Sequence, residues 1–279
     1  MAKHEASRFL VRILRSRFRD HKTELSELRR HIRRGDIVCD IGANKGSFLY
    51  WLARWSAPGR VVAFEPQPDL AERLARLCSR FSLDNVVVEP RAVYSCSSRK
   101  TLFVPEGHQP GASLLRPAET SRAIQVQTTS LDDYLPDIGN VSAIKIDVEG
   151  AELDVLRGAE RTLRRCRPLI VVECDRRLAT LDRVKETFLF LRGLGYQGQF
   201  LSRGRLLPLS AFDPEIHQRA DGEWFWKRKD YCNNFIFRSV RAPMSYDREA
   251  FLAPIETTSL GARSRLETDP RHVAEHNVD

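Results

Sequence analysis

Carboxylates, glycines and one lysine recur at spacings that suit a binding site with chemistry in it. Asp40-Ile41-Gly42-Ala43-Asn44-Lys45-Gly46 sets an acid inside an apolar run and follows it with G-x-x-x-G. Glycine lacks a Cβ and takes φ > 0 freely, so such a loop lets a ligand approach backbone N–H groups. Glu65 follows Asp40 by 25 residues, after Val61-Val62-Ala63-Phe64. That is near the ~20-residue offset at which an acid meets ribose hydroxyls. A carboxylate there accepts both protons of a diol. Lys145-Ile146-Asp147-Val148-Glu149 alternates ionisable and apolar residues. On a strand the three would share one face, at a cost unless they are paired or used.

A dinucleotide loop carries G-x-G-x-x-G around a pyrophosphate. This loop lacks the G-x-G element and has Asp40, which repels phosphate and suits a cation. S-adenosylmethionine carries a sulfonium and an ammonium and no phosphate. Asp40, Gly42, Asn44, Gly46 and Glu65 are the expected cofactor residues. An alcohol that accepts a methyl group must lose its proton, so Asp147 and Glu149 are the expected catalytic pair, Asp147 first. Lys145 reads as their charge partner, and Glu173 could face the same crevice. The spacing requires no metal. His108 and His217 read as solvated loop histidines. Trp224-Phe225-Trp226 interleaves with bases; Phe225 reads as packing and the tryptophans stay open as substrate platforms.

These residues need an α/β scaffold, and the chain reads as one. Strands are expected over 36–41, 60–65, 86–88, 142–147 and 169–174, with a late strand over 233–237. Helices are expected over 47–55, 69–80, 151–164 and 181–191. Residues 99–128, with Pro105, Gly107, Pro110, Gly111 and Pro117, read as a surface excursion. The economical architecture is one doubly wound, mostly parallel sheet over 35–240, with a helical lead over 1–34 and a tail over 241–279.

The chain holds 279 residues, 42% hydrophobic and 29% charged, which describes an ordinary globular protein. Residues 1–35 carry eleven Lys/Arg against four Asp/Glu, so most of the formal +8 sits there. The rest is nearly neutral, which gives no basic groove across the fold and no expectation of nucleic acid. Phe9, Leu10, Ile13, Leu14 and Phe18 recur at helical spacing in that lead. The lead reads as a helix docked by this stripe and outside the chemistry, so that removing 1–20 would spare cofactor binding. Peripheral membrane contact through 1–20 is the alternative. Arg12, Arg15 and Arg17 break the apolar run a signal peptide needs. Six cysteines without a C-x-x-C pair read as buried thiols in a reducing cytoplasm.

The motifs also resemble a known family. Asp-Ile-Gly-Ala-Asn-Lys-Gly (40–46), Ala-Phe-Glu-Pro-Gln-Pro (63–68), Thr-Ser-Leu-Asp-Asp-Tyr-Leu (129–135), Ile-Lys-Ile-Asp-Val-Glu-Gly-Ala-Glu (144–152), Leu-Arg-Gly-Ala (156–159) and Arg-Pro-Leu-Ile-Val-Val-Glu (167–173) are similar, in order, to the FkbM methyltransferases. The resemblance covers about 36–175. It implies a class I, Rossmann-like, S-adenosylmethionine-dependent fold that acts on hydroxyls of sugars, glycans or secondary metabolites. It also implies that Asp40, Gly42 and Gly46 hold the methionine end and Glu65 the ribose. The competing reading is a non-methylating Rossmann-type nucleotide-binding protein or an NAD-dependent enzyme, against which stand the missing G-x-G and Asp40.

Overall fold

A computed structural model describes residues 2–106, 111–115, 120–135, 141–221, 225, 228 and 230–240. His108, Trp224, Trp226 and the tail over 241–279 lie outside them. The described residues fall within one compact unit over 1–246.

The centre is an eight-stranded sheet. Strands β1 (Ile37–Ile41), β2 (Arg60–Phe64), β3 (Val86–Glu89), β7 (Val141–Ile146) and β8 (Leu169–Glu173) run parallel in the order β3-β2-β1-β7-β8. The chain works outward from β1 to β3 and then resumes on the other side with β7. The strand order therefore reverses between β1 and β7, where open α/β sheets bind ligands. The expected late strand is β11 (Asn234–Ser239), antiparallel to β8. It also pairs with β9 (Tyr196–Ser202), which hairpins with β10 (Arg205–Pro208), two strands that the sequence reading passes over.

Alternation along the strands sends side chains into two cores. Cys39, Ile41, Val62, Phe64, Ile144 and Ile146 face one side, against α6 (Glu152–Arg157), α7 (Glu160–Cys166) and α8 (Leu181–Gly193). Val38, Val61, Ala63 and Ala143 face the other, against α2 (Lys22–His31), α3 (Leu49–Ser56) and α4 (Pro68–Arg80). Asp40 and Lys145 point the same way as this second set and are direct cross-strand neighbours.

Three expectations need correction. The helix over 151–164 is two helices, broken at Gly158-Ala159. A Cβ on Gly158 would fall on the Tyr94 carbonyl, and the Asp132 carboxylate accepts the Arg161 and Thr162 N–H groups, each at 2.8 Å, at the start of the new helix. The excursion over 99–128 holds an antiparallel pair, β5 (Ser98–Pro105) and β6 (Ser121–Thr129), in a three-stranded sheet with β4 (Ala92–Val93). Leu102, Val104 and Val126 form its small core. In the N-terminal lead, α1 (Ala2–Arg15) continues through a wide π-helical turn (Ser16–Asp20) into α2. Phe9 and Ile13 are buried against Leu77 and Phe81, and the Trp51 indole N–H donates to the Ile13 carbonyl at 2.8 Å. Leu10, Leu14 and Phe18 stay outside at 43%, 50% and 65% exposure, so only part of the stripe docks.

Candidate active site

The ends of β1, β2 and β7 open into a cavity of about 370 Å³. That lies within the ~300–1,000 Å³ common for small-molecule sites. Gly42, Asn44 and Lys45 enter it from the loop after β1, Glu65 from the end of β2, and Asp147 and Glu149 from the turn after β7. Leu102, Ala112 and Leu114 close one wall, and Arg12 and His21 reach its rim.

The loops after β1 and β7 are latched together. The Asp147 N–H donates to the Ile41 carbonyl at 3.0 Å. The Lys145 ammonium donates to the Gly42 carbonyl at 3.0 Å and to Asp147 Oδ2 at 3.2 Å. Gly42 sits at φ +78°, and a Cβ there would land on the Asp147 carbonyl oxygen, so no side chain fits. Lys145 also stands 3.7 Å from Asp40. Burial opposes its charge, but Asp147 and Asp40 outweigh that and hold its pKa above the ordinary value. Asp40 is 1% exposed and lies beneath the cavity rather than in its lining, and neither carboxylate oxygen accepts a hydrogen bond from the described residues. Burial raises its pKa against the pull of Lys145. Gly46 is likewise outside the lining, packed on Phe9 and Leu74.

Glu65 shapes the loop and faces the cavity. Its Oε2 accepts the Asn44 N–H at 2.7 Å and its Oε1 the Gln67 N–H at 2.9 Å. Asn44 sits at φ 48°, an angle that asparagine tolerates better than most residues. Burial pushes the Glu65 pKa up to about 7, against those two hydrogen bonds.

Across the cavity the acids crowd. β7 ends at Ile146, so of the three alternating groups only Lys145 is on the strand, and Asp147 and Glu149 belong to the turn that follows. Glu149 takes φ 55° and is half-buried. Burial, then Asp147 and Glu152, push its pKa up to about 8. Glu152 opens α6, accepts the Gly150 N–H at 2.9 Å, and is driven up to about 7 by burial. Glu173 ends β8 outside the cavity lining, with Asn233 donating to it at 2.6 Å. Burial first, then Asp147 and Glu149, raise its pKa well above the usual range.

Gly42, Asn44, Glu65, Asp147 and Glu149 thus meet in one cavity, with Asp40 below and Gly46 behind. His217 packs on Phe200 and Phe212, and Phe225 on Tyr231. The sequence reading misses Arg12 and His21, which the lead brings to the rim of the cavity. The signal was local: Arg12 lies next to Ile13, the buried face that docks the helix.

A family model described as the methyltransferase FkbM domain matches residues 40–197, more than half of the chain. A hexuronic acid methyltransferase, AglP, of Haloferax volcanii is 29% identical over 173 residues, 60% of this chain and 70% of that protein. Methyltransferase 1 of Beauveria bassiana is 27% identical over 147 residues, 44% of this chain and 58% of its own length. Among solved structures, an FkbM methyltransferase from Methylobacillus flagellatus is similar with a TM-score of 0.46 and 19% identity, over 73% of this chain and 43% of that one. With these motifs in this order over the matched span, the chain belongs to the FkbM methyltransferase family.

Proposed function

We propose that the protein is an S-adenosylmethionine-dependent O-methyltransferase whose acceptor is a hydroxyl of a sugar, glycan or secondary metabolite. The observation that carries this reading is the cavity in which Gly42, Asn44 and Glu65 face Asp147 and Glu149 across the strand-order reversal. A cationic, phosphate-free cofactor fits the residues present. The Gly42 loop leaves no room for a side chain, Asp40 beneath it lacks hydrogen-bond donors, and Glu65 keeps acceptor lone pairs beside its two N–H partners. In this reading Glu65 takes the ribose diol, Gly42 and Asn44 of the loop hold the methionine end, and Asp40 adds negative charge from beneath.

When bound, the cofactor supplies an electrophilic methyl group whose sulfur leaves with the bond's electron pair. The chain's own part is to align the acceptor oxygen and remove its proton. Asp147 is tied to Lys145 at 3.2 Å and suits orienting the hydroxyl. Glu149 accepts no hydrogen bond on its carboxylate from the described residues, and its pKa of about 8 lies near the range in which a base works best at neutral pH. The pair therefore divides, with Glu149 taking the proton and Asp147 positioning. The uronic-acid activity of the Haloferax relative supports a sugar acceptor.

Calorimetry with S-adenosylhomocysteine and with NAD tests the donor. Binding of the first alone supports the reading, and binding of NAD alone overturns it. The exposed Leu10, Val11, Leu14 and Phe18, beside the arginines of the same helix, favour peripheral contact with an anionic membrane surface. Sedimentation with phosphatidylglycerol vesicles checks it, and Leu14→Ser with Phe18→Ser should release the protein.

A further inference from the structure

A second hollow of about 640 Å³ adjoins the cavity, and Arg12, His21, Lys45 and Ser47 line both. Its walls are helix α1, the π-helical turn, the loop after β1, and Arg73 of α4. Its chemistry is the reverse of the cavity floor. Arg8, Arg12, Arg15, Lys45 and Arg73 line it, against the single acid Asp20. Arg15 pairs with Asp20 at 3.5 Å, and Arg73 with Glu5 at 2.7 Å. Arg8, Arg12 and Lys45 have no carboxylate partner among the described residues, which leaves three uncompensated cations. Among the described residues Arg12 donates to the Lys45 carbonyl alone, at 3.3 Å. A further polar group waits there. Ser16 lines the hollow, is 2% exposed, and its hydroxyl has no hydrogen-bond partner among the described residues. It opens the π-helical turn, a distortion often found at functional sites.

We propose that this hollow binds an oxyanion, phosphate or carboxylate, carried by the methyl acceptor. The inference rests on the methyltransferase reading and extends it to the acceptor's class. Arg8 is exposed and Arg12 and Lys45 are partly buried, and the three crowd around one hollow without a carboxylate between them. Arg12 is half-buried, and its pKa is lowered by burial and then by Arg73 and Arg8. That of Lys45 is lowered by burial and then by Arg12 and Arg73. These groups repel one another in the absence of an anion, and an anion relieves the repulsion. The donor does not account for them. Its sulfonium and ammonium are cations suited to the acidic floor, and its one carboxylate would still leave unmet Arg8, which lines only the outer hollow. An acceptor lying across both spaces would set its anionic group among the arginines and its hydroxyl toward Asp147 and Glu149. Arginine's planar fork favours both phosphate and carboxylate.

The test is calorimetry on the full chain saturated with S-adenosylhomocysteine, titrated with glucose, glucuronate, glucose 1-phosphate and inorganic pyrophosphate. The expected result is at least ten-fold tighter binding of one anionic probe than of glucose. Arg8→Gln and Arg12→Gln should each weaken that probe about ten-fold, and Arg12→Lys should restore part of the loss. A preference for glucuronate assigns a carboxylate, and a preference for the phosphate probes assigns phosphate. Equal binding of glucose and all anions overturns the proposal. So does a loss of S-adenosylhomocysteine affinity in Arg8→Gln matching its loss of anion affinity, since the cations would then serve the donor. If S-adenosylhomocysteine fails to bind the wild type while pyrophosphate binds through Arg8 and Arg12, the donor assignment falls and the anion site stands.

Discussion

Replacing Glu65 by glutamine isolates the ribose contact with little change of shape. Both carboxylate oxygens already accept backbone N–H groups, from Asn44 at 2.7 Å and Gln67 at 2.9 Å. An amide must turn its NH₂ toward one of these donors, and it loses the charge that strengthens a bond from a ribose hydroxyl. Hydrogen bonds to charged groups contribute about 1.5–3 kcal/mol, so the affinity should fall by roughly 10- to 150-fold at ~1.4 kcal/mol per decade. The raised pKa adds a sharper signature. With the Glu65 carboxyl titrating at about 7, it is mostly protonated at pH 6 and mostly ionised at pH 8. Only the ionised form accepts from both hydroxyls, so wild-type affinity should rise roughly ten-fold between those pH values. Adenosine is the probe, since it carries the diol and lacks the titrating amino-acid end. Calorimetry from pH 6 to 8 should show the rise in the wild type and a flat, weaker profile in Glu65→Gln. A folded variant that binds adenosine as tightly as the wild type, or a wild type indifferent to pH, would refute the reasoning.

Gly42→Ala forces a Cβ onto the Asp147 carbonyl at φ +78°, and should both lower the melting temperature and weaken S-adenosylhomocysteine more than ten-fold. Wild-type values in both would show that the two loops are not latched. Glu149→Gln should cut turnover about 10²–10⁴-fold and abolish its rise with pH through about 8, with donor affinity within a few-fold. Asp147→Asn should fall less and keep the pH profile, and chelators should leave the wild type unchanged, since Glu149 takes the proton without a metal to acidify the hydroxyl. For stability, the buried Glu152 titrates at about 7 in the fold against 4.5 when unfolded. The folded state holds this proton more tightly, so its contribution is complete below about pH 4.5 and lost as pH rises through about 7. Melting temperature should decline over that window and decline less in Glu152→Gln, which keeps an acceptor for the Gly150 N–H.

Much of the site was legible because its signals are local. The glycines of 42–46 and the acids ending β1 and β2 announce themselves by position after apolar runs, and the strand-order reversal follows from alternating strands and helices. The roles within the acidic pair were less legible. Lys145 meets Gly42 and Asp40 across the sheet, a register that no spacing along the chain reveals. Residues 99–128 read as a surface excursion because their prolines and glycines drown a clear alternation at Leu102 and Val104. The docking of α1 was half right. Phe9 and Ile13 share a face with Leu10 and Leu14 too closely for periodicity to tell a buried edge from an exposed one, and the charge of Arg12 hid its place at the rim.

The way Phe9 and Ile13 pack on Leu77 and Phe81 has a consequence for the order in which the molecule is made. An isolated helix of 14 residues is marginal in water. Its partners lie about 70 residues further along, roughly 4–14 s of synthesis at ~5–20 residues per second. Through that interval α1 emerges with both apolar edges bare and its arginines unopposed, while β1, β2 and α4 are still being added. The rim residues Arg12 and His21 can take their places only after the cavity floor exists. At this end of the molecule α1 locks only after the chain that follows it has supplied α4.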